Sequence, residues 1–207
     1  LQSYKAVFEY SAMWVGYKNS IIYTVLGTLL SVVLTLLAAY PLSREDLRGG
    51  KVFMALFLFT MMFSGGLIPT YLLVKNLGLV NTMWAVILPG SVSAYNVIVA
   101  RTFFKQNIPQ ELLEAAKVDG CSDFRFFMSI VIPLSMPIVA VLALWVAVGL
   151  WNSYFNPMIY LNSENKYTLQ LILRRIILMS QVNLSSSNID PARIAENQYL
   201  SEMLKYA

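Results

Sequence analysis

Residues 21–40 read IIYTVLGTLLSVVLTLLAAY, twenty residues without a charge. At a rise of about 1.5 Å per residue, a helix of that length crosses roughly 30 Å, the hydrocarbon thickness of a bilayer. Lipid offers no hydrogen-bond partner, so each peptide group must find one within the segment, and a helix provides it. Asn19 or Ser20 can cap the start, and Pro41 stops the pattern. Ile21 to Tyr40 is therefore predicted to span a membrane, and the rest of the chain must be compatible with that.

Three further apolar segments follow. Val52 to Val74 (VFMALFLFTMMFSGGLIPTYLLV) is interrupted by Gly65, Gly66 and Pro69. Backbone groups freed by such a break need protein or water around them, so it marks either a kink or a place on a solute path. Met83 to Ala100 carries Pro89, Gly90, Ser91, Ser93, Tyr95 and Asn96. Pro137 to Trp151 is the core of a fourth span, approached from about Ile130. Only 13% of the residues are charged, against about 25% in soluble domains, and they gather between the apolar runs. The prediction is an all-α, polytopic membrane protein with four visible spans. After Asn162 the chain is half polar and is expected to form short amphipathic surface helices, with Ser185 to Ser187 as a loop.

The composition excludes several functions. The chain has one cysteine, Cys121, and no histidine. A disulfide framework, a Cys/His zinc site and a Ser-His-Asp triad are therefore all out. An intramembrane enzyme needs acids or a Ser/Lys pair at membrane depth, and the spans hold no acid. Lys and Arg are scattered over loops rather than gathered on one face, which argues against nucleic acid. Gly49-Gly50-Lys51 lacks the upstream glycine and the following Ser/Thr of a phosphate-binding loop, so nucleotide chemistry belongs elsewhere.

Between the third and fourth spans lies IPQELLEAAKVDGCSDFRFFMSIVIP. Pro109 suits a first helical position, and Gln110 to Val118 are good helix formers. Asp119-Gly120 is a stop, with glycine free to take the left-handed conformation after the helix. Ser122 can cap a second helix running toward Ile132, and Asp123 complements its dipole. Pro133 marks the start of the next span. A short helix across the membrane axis can seat in a groove of a soluble partner and transmit its displacement.

The spacing Glu114-Ala115-Ala116, Gly120, then Ile130-x-Ile132-Pro133 resembles the EAA loop of ABC-importer permeases. NSIIYTVLGTLLSVVLTLLAAYPLSR, FSGGLIPTYLLVKNLGLVNTMWAVILPG, PLSMP and WNSYFNPMIYL resemble other stretches of the carbohydrate-uptake, maltose-permease-like class, in its oligosaccharide and polysaccharide-fragment branch. The resemblance covers nearly the whole chain and weakens after about residue 175. It implies a type I permease core with six spans, one missing before Leu1 and one after Ala207, in a bacterial plasma membrane. It implies a single permease domain over 1–207, a cytoplasmic coupling loop over 101–133 and an extracellular segment over 153–207. The two inner loops, 41–51 and 101–133, hold seven Lys/Arg and the remaining segments eight over nearly twice the length, weak support for that orientation.

The resemblance further implies a second homologous permease, two cytoplasmic ATPase subunits that bind ATP and magnesium, and an extracellular solute-binding protein; this chain itself would carry no cofactor and no metal. Glu111, Glu114, Ala115, Ala116, Asp119 and Gly120 become the expected ATPase-coupling residues. Ala115 and Ala116 would let the partner approach and Glu114 would anchor it. For the solute path, the residues themselves suggest Tyr95 and Asn96 in the third span and Trp151, Asn152, Tyr154 and Asn156 at the end of the fourth. Aromatic rings cover the C–H face of a sugar, and amides pair with its hydroxyls; an interfacial aromatic belt accounts for Trp151 and Tyr154 equally well. The alternative is an importer of amino acids, peptides or phosphonates. A charged solute would favour ionisable residues within the spans, where there are none.

Overall fold

The computed structural model describes residues 11–185, with side chains over 12–178. The first helix, α1, runs over Ser11–Ser43 and contains the predicted span. It begins earlier than predicted, because the two polar residues read as caps have other partners. Asn19 Nδ2 donates to the carbonyls of Asn165 (2.9 Å) and Tyr167 (3.0 Å), and Ser20 Oγ accepts the Leu169 N–H at 2.9 Å.

The next spans are all broken. α2 (Gly50–Met62) and α3 (Leu67–Asn76) meet at 112° across the predicted glycine break. α4 (Met83–Ile87) passes through a 3-10 turn, Leu88–Gly90, and bends by 52° into α5 (Ala94–Asn107). α6 is Gln110–Val118. α7 (Asp123–Phe126) continues through a π-helical stretch, Phe127–Val131, into α8 (Ile132–Leu134), and turns by 78° into α9 (Met136–Trp151). α10 (Phe155–Tyr160), a 3-10 turn at Glu164–Lys166 and α11 (Leu169–Ser185) complete the described residues, which contain no strand. Among the described residues, one helix alone is long and apolar enough to cross a membrane, or up to four spans if each bent pair counts as one. The tail differs from its expectation: α11 is one helix of 17 residues that includes Ser185, while Ser186 and Ser187 lie outside the described residues.

The helices form two compact units. One holds residues 11–24, 74–86 and 149–185 of the described chain, the other 25–73 and 87–148. The chain passes from one to the other four times, so neither is a contiguous stretch of sequence.

In the second unit α1, α5 and the helical run from α7 to α9 share one core. Tyr40 sits with its ring centroid 4.9 Å from Phe127 and 6.2 Å from Phe104. Ala39 and Ala100 have no exposed surface. In a bilayer, burial of apolar area does not drive helix association, and small residues that allow close packing do more of that work. In the first unit Gly16 plays this part. A Cβ there would lie 2.7 Å from Ile172 Cδ1 and 3.1 Å from the Leu169 Cα, so α1 and α11 approach closely only with glycine. Asn81, at φ 61°, is the other organiser. Its carboxamide oxygen accepts the N–H of Asn162 and of Ser163, both at 3.1 Å, and its own N–H donates to the Tyr160 carbonyl at 2.7 Å.

Candidate functional site

The loop after α5 folds as its residues dictate. α6 ends in a Schellman arrangement: the Gly120 N–H donates to the Lys117 carbonyl (3.1 Å) and the Cys121 N–H to that of Ala116 (2.9 Å). Gly120 has φ 71°, which glycine takes without cost. Ser122 then caps α7, its hydroxyl accepting the Arg125 N–H at 3.4 Å. Pro109 stands just outside α6, in extended conformation, rather than at its first helical position.

α6 presents two faces. Leu113 and Ala116 turn inward onto the core, with Ala116 buried. Glu111, Glu114, Ala115, Asp119 and Gly120 are exposed. The small side chain of Ala116 permits close packing inside the chain, while Ala115 beside it stays exposed. The outer surface also carries apolar residues that the motif did not single out. Val118 is 88% exposed and Phe124 67%, high values for side chains that gain nothing from water. Glu114 accepts a hydrogen bond from Gln110 Nε2 at 3.1 Å along the helix.

An ionic clamp, not anticipated from the sequence, ties this loop to the one after α1. Arg44 donates from Nε and Nη2 to both carboxylate oxygens of Asp46 and from Nη1 to Asp123 Oδ1 at 2.8 Å. Lys117 Nζ lies 3.8 Å from Asp46 and Lys105 Nζ 3.6 Å from Glu45. Hydrogen bonds from Arg44, reinforced by its charge and that of Lys117, hold the Asp46 carboxyl below the usual carboxylate range. The same hydrogen bonds push Arg44 further toward its charged form. Arg101 Nε closes the end of α1 by donating to the Leu42 carbonyl at 2.8 Å. Arg44 and Asp123 are 79 residues apart, and no local pattern announces such a pair. Behind α6 lies a cleft of about 430 Å³ lined by Tyr40, Glu45, Phe104, Gln110, Glu114 and Lys117 among others.

The six residues suggested for a solute path divide between the units. Tyr95 and Asn96 are on α5 in the second, where the Tyr95 ring lies 6.0 Å from that of Trp145. Trp151, Asn152, Tyr154 and Asn156 belong to the first. There Trp151 meets Tyr17 edge-on at 6.0 Å, and the Arg174 guanidinium stands 4.0 Å over the Tyr154 ring. Asn152 and Tyr154 are exposed, Trp151 and Asn156 half-buried. No group of three or more His, Cys, Asp or Glu that could hold a metal occurs among the described residues.

A profile of the family described as binding-protein-dependent transport system inner membrane component matches residues 11–189. The chain belongs to that family. It is a family of transport permeases, not of enzymes. The chain is 46% identical over 180 residues to a polygalacturonan/rhamnogalacturonan transport system permease protein of Bacillus subtilis (strain 168), covering 87% of this chain and 63% of the relative. An arabinooligosaccharides transport system permease protein of Halalkalibacterium halodurans is 32% identical over 174 residues, covering 82% of this chain and 61% of its own. This permease chain thus spans about three-fifths of the length of these relatives. The crystal structure of a bacterial ABC transporter involved in the import of the acidic polysaccharide alginate contains a chain that matches it with a TM-score of 0.87 at 30% identity, over 98% of this chain and 72% of that one. The type I ABC permease fold expected from the sequence is the fold observed.

Proposed function

We propose that this chain is a permease subunit of an ATP-driven importer in a bacterial plasma membrane, that it forms part of the path of a sugar or oligosaccharide, and that it couples to a cytoplasmic ATPase through the 101–133 loop. The observation that carries the reading is the construction of that loop. A short helix, a Schellman turn and a capped second helix form a braced unit between apolar segments, and the outer face leaves Glu111, Glu114, Ala115, Val118 and Phe124 exposed. A groove on a soluble partner would cover that apolar and acidic face. ATP and magnesium would be held by two such ATPase subunits, and closure of the pair would draw the loop helices of this chain and of a second, homologous permease together. A solute-binding protein would deliver the sugar from outside.

The Arg44 clamp supports a shared side for the two segments read as inner loops, 41–51 and 101–133: Arg44 of the first pairs with Asp123 of the second. Sugar as solute rests on the polygalacturonan/rhamnogalacturonan and arabinooligosaccharide relatives. The amino-acid, peptide and phosphonate alternative draws no support from them.

The test is co-purification. The full-length permease should retain its ATPase in detergent and lose it, wholly or in part, with Glu114→Lys, while both forms reach the membrane in equal amounts. Undiminished ATPase retention and undiminished coupled uptake in that variant would remove α6 as the docking element.

A further inference from the structure

We infer that the groove at the end of α1 holds the headgroup of a phosphatidylethanolamine molecule, its phosphate on Arg48 and its ammonium on Asp123. The inference rests on the importer reading only for the membrane around the chain.

The first observation is where the groove lies. It has a volume of about 440 Å³ and falls wholly within the second unit. Leu37 and Tyr40 line it from the last turn of the uncharged run that ends at Tyr40. Arg44, Asp46 and Arg48 line it from the charged segment that follows. Apolar and charged walls therefore meet at the level where acyl chains give way to headgroups. Leu47 and Phe127 add to the apolar wall. Phe124 lines the groove too, which sets the lipid beside the docked ATPase.

The second observation is charge. The groove is lined by two arginines, Arg44 and Arg48, and two aspartates, Asp46 and Asp123, so its walls carry no net charge. Arg44 is committed to both aspartates, taking both oxygens of Asp46 but only Oδ1 of Asp123. One cation and one acceptor remain. The Arg48 guanidinium has no ion pair among the described residues, and Asp123 Oδ2 has none either. A guanidinium fork fits phosphate oxygens, and a primary ammonium brings three N–H donors to a carboxylate. An anionic headgroup would satisfy Arg48 and meet two carboxylates unpaired. A choline headgroup carries the positive charge without an N–H to donate. Phosphatidylethanolamine matches both free groups. The Tyr40 hydroxyl is a third sign of an occupant: it is buried and has no hydrogen-bond partner among the described residues. Leaving such a group unpaired is costly, and a phosphate or ester oxygen in the groove supplies an acceptor.

The experiment is native mass spectrometry of the full-length permease with its partner subunits. The complex is released from nanodiscs holding equal parts of phosphatidylethanolamine, phosphatidylcholine and phosphatidylglycerol. The phosphatidylethanolamine adduct should outlast the other two. Arg48→Gln should lower its bound fraction roughly fivefold. Arg125→Gln, at an exposed arginine that does not line the groove, should leave it unchanged. Retention of the complex on gel filtration shows that the variants assemble, and the comparison of lipids on the wild type needs no variant. Equal adducts for the three lipids overturn the inference and make the groove part of an unselective lipid belt. A preference for phosphatidylglycerol overturns it in favour of a simple anion site, and so does an equal loss in both arginine variants. Sugar uptake by the same complex separates the two readings. Uptake without a phosphatidylethanolamine preference sinks the inference and leaves the importer reading standing. The preference without uptake of any sugar sinks the importer reading alone.

Discussion

Gly120 shows how one backbone angle carries the loop. Its φ of 71° suits the turn, and a Cβ placed there meets nothing within 4 Å. A larger residue is therefore opposed by conformation alone, by about 1–2 kcal/mol. Gly120→Val should loosen the α6 end without disturbing the core, and ATPase hydrolysis should run with less transport per ATP. Equal stoichiometry in variant and wild type would show that the turn is not read by the partner. Asp46 gives a pH test. Its folded pKa is lowered, so its stabilisation is complete above the ordinary carboxylate pKa of about 4 and disappears as pH falls through the lower folded value. Asp46 is half exposed, so the clamp contributes no more than about 1 kcal/mol. Wild type should melt slightly above Asp46→Asn at pH 7, and the difference in Tm should close in acid below about pH 4. A gap that widens on acidification contradicts the assignment.

Among the elements, the broken second span separates two glycines that look alike in sequence. Gly66 has φ 84°, whereas Gly65 lacks a positive φ, and neither has a neighbour within 4 Å of a Cβ. Gly65→Ala should be nearly neutral in thermal stability. Gly66→Ala should cost about 1 kcal/mol, read as a lower Tm of the purified complex. For the solute path, Asn152→Ala and Tyr95→Ala should raise the half-saturating sugar concentration, with the assembled complex unchanged. Phe53, 53% exposed on α2, is the control: if Phe53→Ala lowers uptake as much, the defects are losses of stability.

For the whole molecule, the expectation concerns sidedness. In a full-length Cys121→Ser background, Arg48→Cys and Arg125→Cys should react with an impermeant maleimide only from the cytoplasm, and Asn162→Cys only from outside. These sites are exposed, whereas Asn81 and Ser163 hydrogen-bond each other at 2.8 Å and are poor probes. Labelling of Arg125→Cys from outside would falsify the inward placement of the coupling loop.

Where the determinants are local, they were legible in the chain itself. The uncharged run of Ile21 to Tyr40 needs a helix because lipid leaves its peptides no other partner. The limits of α6, the left-handed Gly120 and the Ser122 cap follow from residues within one turn of each other. Tertiary structure decided what depends on distant partners. Asn19 and Ser20 look like a cap and lie inside α1 because residues 165–169 take their side chains. Ala116 looks like its neighbour Ala115 and is buried because the 100° step of a helix turns it to the core. The Arg44–Asp123 clamp and the stacking of Arg174 on Tyr154 join residues 79 and 20 positions apart. Such pairs carry no periodic signature, because the fold and not the spacing brings their charges and rings together.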